Sequence, residues 1–407
     1  MPVLVWGAAL CEGMALTLVQ AFLPLYLRST LGETRFLVVG AVVAVPALGT
    51  FVASNFWGGL SDVSGRLKPF ILIGLSGYVL ALAGFPLFRH GYGLLAWAGL
   101  ASLFYGTLAP SLKTYITLSY PERRENALAY LLMSQSIGWL LGSFGGSRLL
   151  AHGIGPGFKL ALWGGAAMMG AYLVLVAFLL REQRRDPAPA RASRGWLGGV
   201  AADLASLYEN PRLLSLCVLA FFLVAGNYIT WGFFSVFYTE HLHAGMKTLG
   251  TALATSSIFG IAFFPVVGPL VRRFGGLKVL AVCATLYLVM YAGMALARNP
   301  LVAGVLFALP LYGMANVSSN TLASQYSTSA QRGGGLGVLN GTYALATVVG
   351  PLAGGALADR TGLWAIPWIS FAFAAVAGGI AWRSALSRAR LGPAAAKIGE
   401  VRGRNAD

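Results

Sequence analysis

Two ionisable side chains, Glu12 and Lys113, stand deep within long apolar stretches of this 407-residue sequence. A charge at the centre of a bilayer helix costs at least about 2.5 to 3.5 kcal/mol on insertion scales, so each needs a partner or a water-filled cavity. Glu12 lies roughly 14 Å, and Lys113 roughly 10 Å, along the helical rise from the same-side ends of their stretches, at compatible depths. The chemistry open to such a pair is proton carriage: a medium of low dielectric favours the neutral form of a carboxylate, and a nearby ammonium opposes it. The alternative is a permanent buried pair that holds two helices together.

A second set carries no charge: Gln20, Tyr115, Gln135, Asn227, Tyr228, Trp231, Asn316 and Asn320, with Gln325 beyond them. Aromatic planes and a few directional amides are what a site for a small organic molecule requires. Asn316 and Asn320 are four apart, on one helical face. Taken singly, each of these residues is equally explained as a hydrogen bond between helices. Glu240-His241-Leu242-His243 lacks a fourth ligand in view and reads as a polar cap on a span rather than a metal site. The glycosylation patterns at Asn316-Val317-Ser318 and Asn340-Gly341-Thr342 fall within spans. No phosphate-binding glycine-lysine loop, zinc-protease helix or nucleophile elbow occurs, so ATP drive and hydrolytic chemistry have no support, and neither an enzyme nor a cofactor or metal is expected.

These residues must be positioned by helices in a membrane. The composition, 57% hydrophobic and 10% charged with mean hydropathy +0.71, excludes an ordinary soluble domain. Runs long enough to cross about 30 Å of hydrocarbon give twelve spans, at 3–28, 36–60, 69–88, 93–118, 125–150, 158–181, 213–240, 247–270, 277–297, 301–326, 335–358 and 364–384. The runs are continuous rather than alternating, which selects helices over a barrel and an all-α fold class. The first span lacks a basic leader and a small-residue cleavage site, and is expected to be retained. Of the 29 lysines and arginines, eight fall near the face opposite the termini and Lys113 within a span. The remainder share the termini face, so both termini are expected in the cytoplasm. The net charge of +16 then reads as topology and contact with anionic lipid, with no nucleic-acid partner. Cys11, Cys217 and Cys283 are scattered through the spans as small apolar fillers.

A basic, Pro/Ala-rich stretch after Arg181 divides the chain into two six-span halves at 1–181 and 213–384, with a linker at 182–212 and a tail at 385–407. Trp196 to Tyr208 suits an interfacial helix within that linker. The halves repeat. The turn from Gly58 to Lys68 returns in degraded form from Gly268 to Lys278, Tyr105-Gly106 returns as Tyr312-Gly313, and Gly145-Gly146 as Gly354-Gly355. Several matches at nearly constant offset, all in corresponding spans, indicate duplication, the usual architecture of secondary transporters.

The turn itself, with Gly58, Leu60, Asp62, Gly65, Arg66 and Lys68, resembles the signature between the second and third helices of the major facilitator superfamily. Gly65 suits a tight turn, Gly58 a close helix approach, and Asp62 a helix cap or ion pair; Arg66 has Glu122 and Glu125 as candidate partners in the next loop on that face. The resemblance implies two pseudo-symmetric six-helix bundles rocking about a central cavity lined by helices 1, 4, 7 and 10. It also implies a gate in which the signature loop contacts helix 11. It places Glu12 and Lys113 together at that cavity. Within the superfamily the chain is most similar to twelve-helix drug and metabolite exporters, with two departures: helix 5 reads Gly138 to Gly146 without their proline, and Ser102 stands where they tend to carry arginine. The implied function is alternating-access transport of a small organic substrate by a monomer in a bacterial inner membrane, as proton-coupled export of drug-like or amphipathic compounds. Proton-coupled uptake of sugars or other metabolites, and a non-transporting receptor or scaffold on the same fold, stand beside it.

Overall fold

A computed structural model of the chain describes residues 2–183, 210–327 and 332–390, without the side chains of Pro2, Asp62, Glu125, Phe264, Arg332, Arg388, Ala389 and Arg390. Most of the expected linker, including its interfacial helix, and the tail beyond residue 390 lie outside the described residues.

The long helices fall where hydropathy placed them, within a few residues. In the first half they are α1 Val3–Ser29, α2 Phe36–Ser61, α3 Lys68–Leu87, α4 Gly91–Ser119, α5 Asn126–Leu150 and α6 Ile154–Leu179. In the second they are α7 Pro211–His241, α8 Met246–Phe274, α9 Gly276–Leu296, α10 Pro300–Tyr326, α11 Gly334–Thr361 and α12 Leu363–Ser387. Pro265 and Pro269 interrupt α8, which bends by 53°, as expected where proline removes a backbone donor and crowds the preceding turn.

Glycine sets the packing within each half, because without a hydrophobic drive between helices in lipid, close backbone approach supplies the attraction. In the first half α1 lies on α5: a Cβ on Gly13 would collide with the carbonyl of Gln135, and one on Gly138 with the carbonyl of Leu10. In the second half α7 lies on α11 in the corresponding way, with Gly350 against the carbonyl of Ala225 and Gly354 against Ile229. Of the glycine pairs repeated in the sequence, Gly146 meets Phe22 and Leu18 of α1 and Gly354 meets Ile229 of α7, while Gly145 has nothing within 4 Å of the place a Cβ would take.

The halves meet along two seams, α2 against α11 and α5 against α8. Gly40 presses on the carbonyl of Pro351, Gly355 on the carbonyl of Phe36, and Gly250 on Ser147. These contacts all lie in the part of the bundle away from the termini. Towards the termini the same helices diverge. Gly58, Gly59 and Gly341 have nothing within 4 Å of the place a Cβ would take, and Phe56 and Val63 are 63% and 62% exposed. The molecule is sealed on the face opposite the termini and open on the termini face.

Candidate functional site

Between the halves lies a cavity of about 350 Å³, within the usual range for small-molecule sites. Its walls come mainly from the first half. Glu12 and Gln20 of α1, Tyr78 of α3, Tyr105 of α4 and Gln135 of α5 face Tyr228 of α7 and Thr347 of α11. Glu12 is 4% exposed and accepts a hydrogen bond from the Tyr78 hydroxyl at 3.4 Å. Tyr78 stacks on Tyr105, with ring centroids 4.6 Å apart and planes 19° from parallel. A carboxylate, a phenol bonded to it and an aromatic stack therefore share one wall. The rest of the lining is largely aliphatic, from residues such as Val42, Val43 and Ala47.

At the sealed end, Trp231 of α7 crosses between the halves. Its indole N–H donates to Gln20 Oε1 at 3.3 Å, its ring meets Trp139 of α5 edge-on, and it stacks on Phe307 of α10. Gln20 sits in a π-helical turn of α1, Leu18–Phe22, a local widening common at functional sites.

Beyond this roof two polar contacts join the halves. Arg28, at the end of α1, donates from Nε to Glu240 Oε1 at 3.2 Å and from an NH₂ group to Glu240 Oε2 at 2.8 Å, joining α1 to α7. Asp359, near the end of α11, accepts the backbone N–H groups of Phe36 and Leu37 at the start of α2. An anion set on the unsatisfied amides of a helix N-terminus is favourable for both hydrogen bonding and the helix dipole. Glu240, which the sequence marks as a polar cap on a span, is thus a contact between the halves, and so is Asp359.

The expected site residues divide. Glu12, Gln20, Gln135 and Tyr228 line the cavity, and Trp231 roofs it. Lys113, expected to be buried, is exposed: it borders a side pocket of about 40 Å³ that Glu12 and Gln135 also line, with no ion pair to Glu12 among the described residues. Tyr115 does not line the cavity; its hydroxyl donates to the carbonyl of Arg181 and fastens the start of the linker to the first half. Asn227 accepts from the Tyr287 hydroxyl, and Asn320 donates to the carbonyl and side chain of Asn316, so these amides are spent on bonds within the second half. Tyr78, Tyr105 and Thr50 were missed, since an isolated tyrosine or threonine in an apolar helix carries no linear signal of the direction it faces.

In the signature turn, Gly65 ends the second helix with φ +62°, the left-handed conformation that glycine accepts at no steric cost. Leu60 and Arg66 are exposed. Arg66 makes no ion pair with Glu122 among the described residues, and the side chains of Asp62 and Glu125 lie outside them. Glu182 instead accepts from the backbone N–H groups of Leu67 and Lys68 at 2.9 and 3.1 Å, capping α3. With the halves apart on this face, the turn has no opposing helix to hold.

Two helical bundles enclosing a buried carboxylate, shut at one end and open at the other, have the construction of a membrane carrier. The chain belongs to the Major Facilitator Superfamily, whose family model matches residues 5–329 and, in an overlapping match, 216–402. It is 26% identical over 373 residues to multidrug resistance protein MdtG of Klebsiella pneumoniae (strain 342), covering 89% of this chain and 87% of that protein. It is likewise 26% identical over 374 residues to MdtG of Salmonella typhi, covering 89% of each. Among solved structures the nucleoside transporter NupG superposes with a TM-score of 0.76 at 16% identity, covering 94% of this chain and 97% of that one. A POT family transporter in complex with 5-aminolevulinic acid also gives 0.76, at 14% identity and 95% coverage of both. The chain is thus a multi-pass membrane transporter and not an enzyme.

Proposed function

We propose that this carrier exports amphipathic, neutral or cationic organic compounds in exchange for protons, with Glu12 as the proton carrier. The observation that carries the reading is Glu12 itself, buried in the cavity wall and hydrogen-bonded to Tyr78. Several kcal/mol oppose leaving a bare carboxylate in such a place, so it holds a proton, an internal partner or a cationic substrate. Proton and substrate then compete for one group, which is the requirement of exchange. Lys113 borders the side pocket rather than the cavity and biases the charge near Glu12 without cancelling it. The aliphatic lining and the Tyr78–Tyr105 stack suit an apolar, aromatic cargo, and the multidrug naming of the MdtG relatives supports this substrate class.

The cycle follows from the seams. Arg28–Glu240 and Asp359 hold the face opposite the termini shut; in the alternate state they part and the turn around Gly58 and Asp62 closes the termini face. The basic residues argue for cytoplasmic termini, and the enterobacterial relatives for a bacterial inner membrane. In that orientation the conformation is open to the cytoplasm. Each half, 1–181 and 213–384, moves as a unit joined by the linker 182–212, with the tail 385–407 outside both.

The test is substrate and proton flux in proteoliposomes for the wild-type chain and Glu12→Gln. Expected are saturable counterflow of a lipophilic cation in both, and substrate-driven proton movement in the wild type alone. Unchanged proton movement in Glu12→Gln overturns the assignment, and co-directional flux of proton and substrate would make the chain an uptake carrier.

A further inference from the structure

We propose that a second cavity, between α7 and α12 on the termini face, binds the phosphate headgroup of an anionic phospholipid. The cavity, about 330 Å³, is rimmed by Arg212 and Ser215 of α7 and by Arg383, Ser384 and Ser387 of α12, with Tyr326 of α10 beside them. Two guanidiniums and the hydroxyls of three serines supply hydrogen-bond donors suited to a phosphate, together with two positive charges. Neither guanidinium has a hydrogen bond or an ion pair among the described residues.

Among the described residues of this half the charge is not answered elsewhere. Between residues 210 and 390 the sequence holds two carboxylates, Glu240 and Asp359, and both are engaged on the opposite face. Arg272, Arg273 and Lys278 add to the positive field of the termini face. The start of α7 and the end of α12 lie side by side here, so their dipoles largely cancel, and the arginines carry the attraction.

The floor identifies the ligand as an amphiphile. Below the rim the lining becomes the apolar side chains of Leu216 and Leu219 of α7 and Leu277 of α9. Phosphate at the rim and an acyl chain on the leucines match a lipid at headgroup depth, whereas a free phosphate would leave the apolar floor unused. Basic pockets between helices on the cytoplasmic side of membrane proteins hold headgroups in this manner.

The test uses the full-length chain in neutral detergent, reading its thermal unfolding midpoint during titration with phosphatidylglycerol, with phosphatidylcholine or with inorganic phosphate. A ligand of the folded state raises the midpoint by mass action. Expected is a saturable rise with phosphatidylglycerol alone, with apparent affinity falling on the order of 30-fold in the double variant Arg212→Gln/Arg383→Gln. The control Arg272→Gln/Arg273→Gln, on the neighbouring helix, retains the effect. An equal rise with inorganic phosphate overturns the lipid assignment. An equal loss in the control, or an effect surviving in the double variant, reduces the finding to diffuse attraction and overturns the site. If the double variant does not fold, Arg383→Gln against Arg383→Lys decides: affinity lost in the first and kept in the second supports the site, and no difference overturns it.

Discussion

Replacing Glu240 by glutamine isolates what one ion pair contributes to closure of the face opposite the termini. Arg28 also donates to the carbonyls of Glu33 at 3.0 Å and Thr34 at 2.9 Å and lies 4.5 Å from the Phe36 ring centroid, but those contacts stay within the first half. Only the two hydrogen bonds to Glu240 cross between halves and are lost when the halves separate. The side chains of the pair are 18% and 33% exposed. A two-pronged, partly buried pair lies above the 0.2 to 1 kcal/mol typical of exposed pairs and below the roughly 3 kcal/mol of the strongest charged hydrogen bonds. Glu240→Gln keeps the shape and one acceptor, so the sealed conformation loses about 1 to 2 kcal/mol, a shift of roughly 5- to 30-fold in the ratio of conformations.

The assay reads the other seam. Ser147, buried against Gly250, is replaced by cysteine and labelled with a membrane-impermeant maleimide from the face opposite the termini; the native Cys11, Cys217 and Cys283 are buried. Labelling follows the population of the alternate state, so its rate rises roughly 5- to 30-fold with Glu240→Gln. An unchanged rate at Ser147→Cys, with faster labelling only beside Glu240, would show local loosening and refute the idea that the halves separate as units.

Asp359→Asn acts on the same equilibrium more weakly, because an exposed anion at a helix N-terminus contributes only about 0.3 to 1 kcal/mol; labelling at Ser147→Cys should rise two- to fivefold, and the effect should multiply with that of Glu240→Gln, these being separate contacts. Gly13→Ala places a Cβ against the Gln135 carbonyl and should cost about 1 to 3 kcal/mol by overpacking, read as a lower thermal midpoint in detergent; an unchanged midpoint would show that α1 and α5 separate freely. Gly58→Leu meets open space in this conformation, so the midpoint should hold while turnover in proteoliposomes falls; full turnover would mean that the signature turn needs no close approach to shut the termini face.

Much of this molecule is written in linear order. A buried backbone in lipid must bond within its own segment, so apolar length alone locates the helices, and their ends agree within a few residues. Duplication is also linear, and glycine contacts pack α1 on α5 in the first half and α7 on α11 in the second. Glu12 was legible because a carboxylate at that depth is expensive wherever it points. The polar amides were less legible: Asn227, Asn316 and Asn320 are as polar as Gln20, yet they face neighbours in their own half. Rotation about a helix axis, which hydropathy does not encode in a segment apolar all round, separates the two outcomes.

The sequence by itself determined the solvent, the twelve spans, the two halves and a carboxylate too costly to be idle. The tertiary structure alone decided which end is shut, that Tyr78 holds Glu12 while Lys113 borders a side pocket, and that Asp359 and Glu240 join the two halves. The reason is physical. Each helix is specified by interactions within one segment, whereas the seams join residues as distant as Arg28 with Glu240 and Phe36 with Asp359. The relative energies of the open and shut states depend on those few contacts, which exist only once the two halves have met.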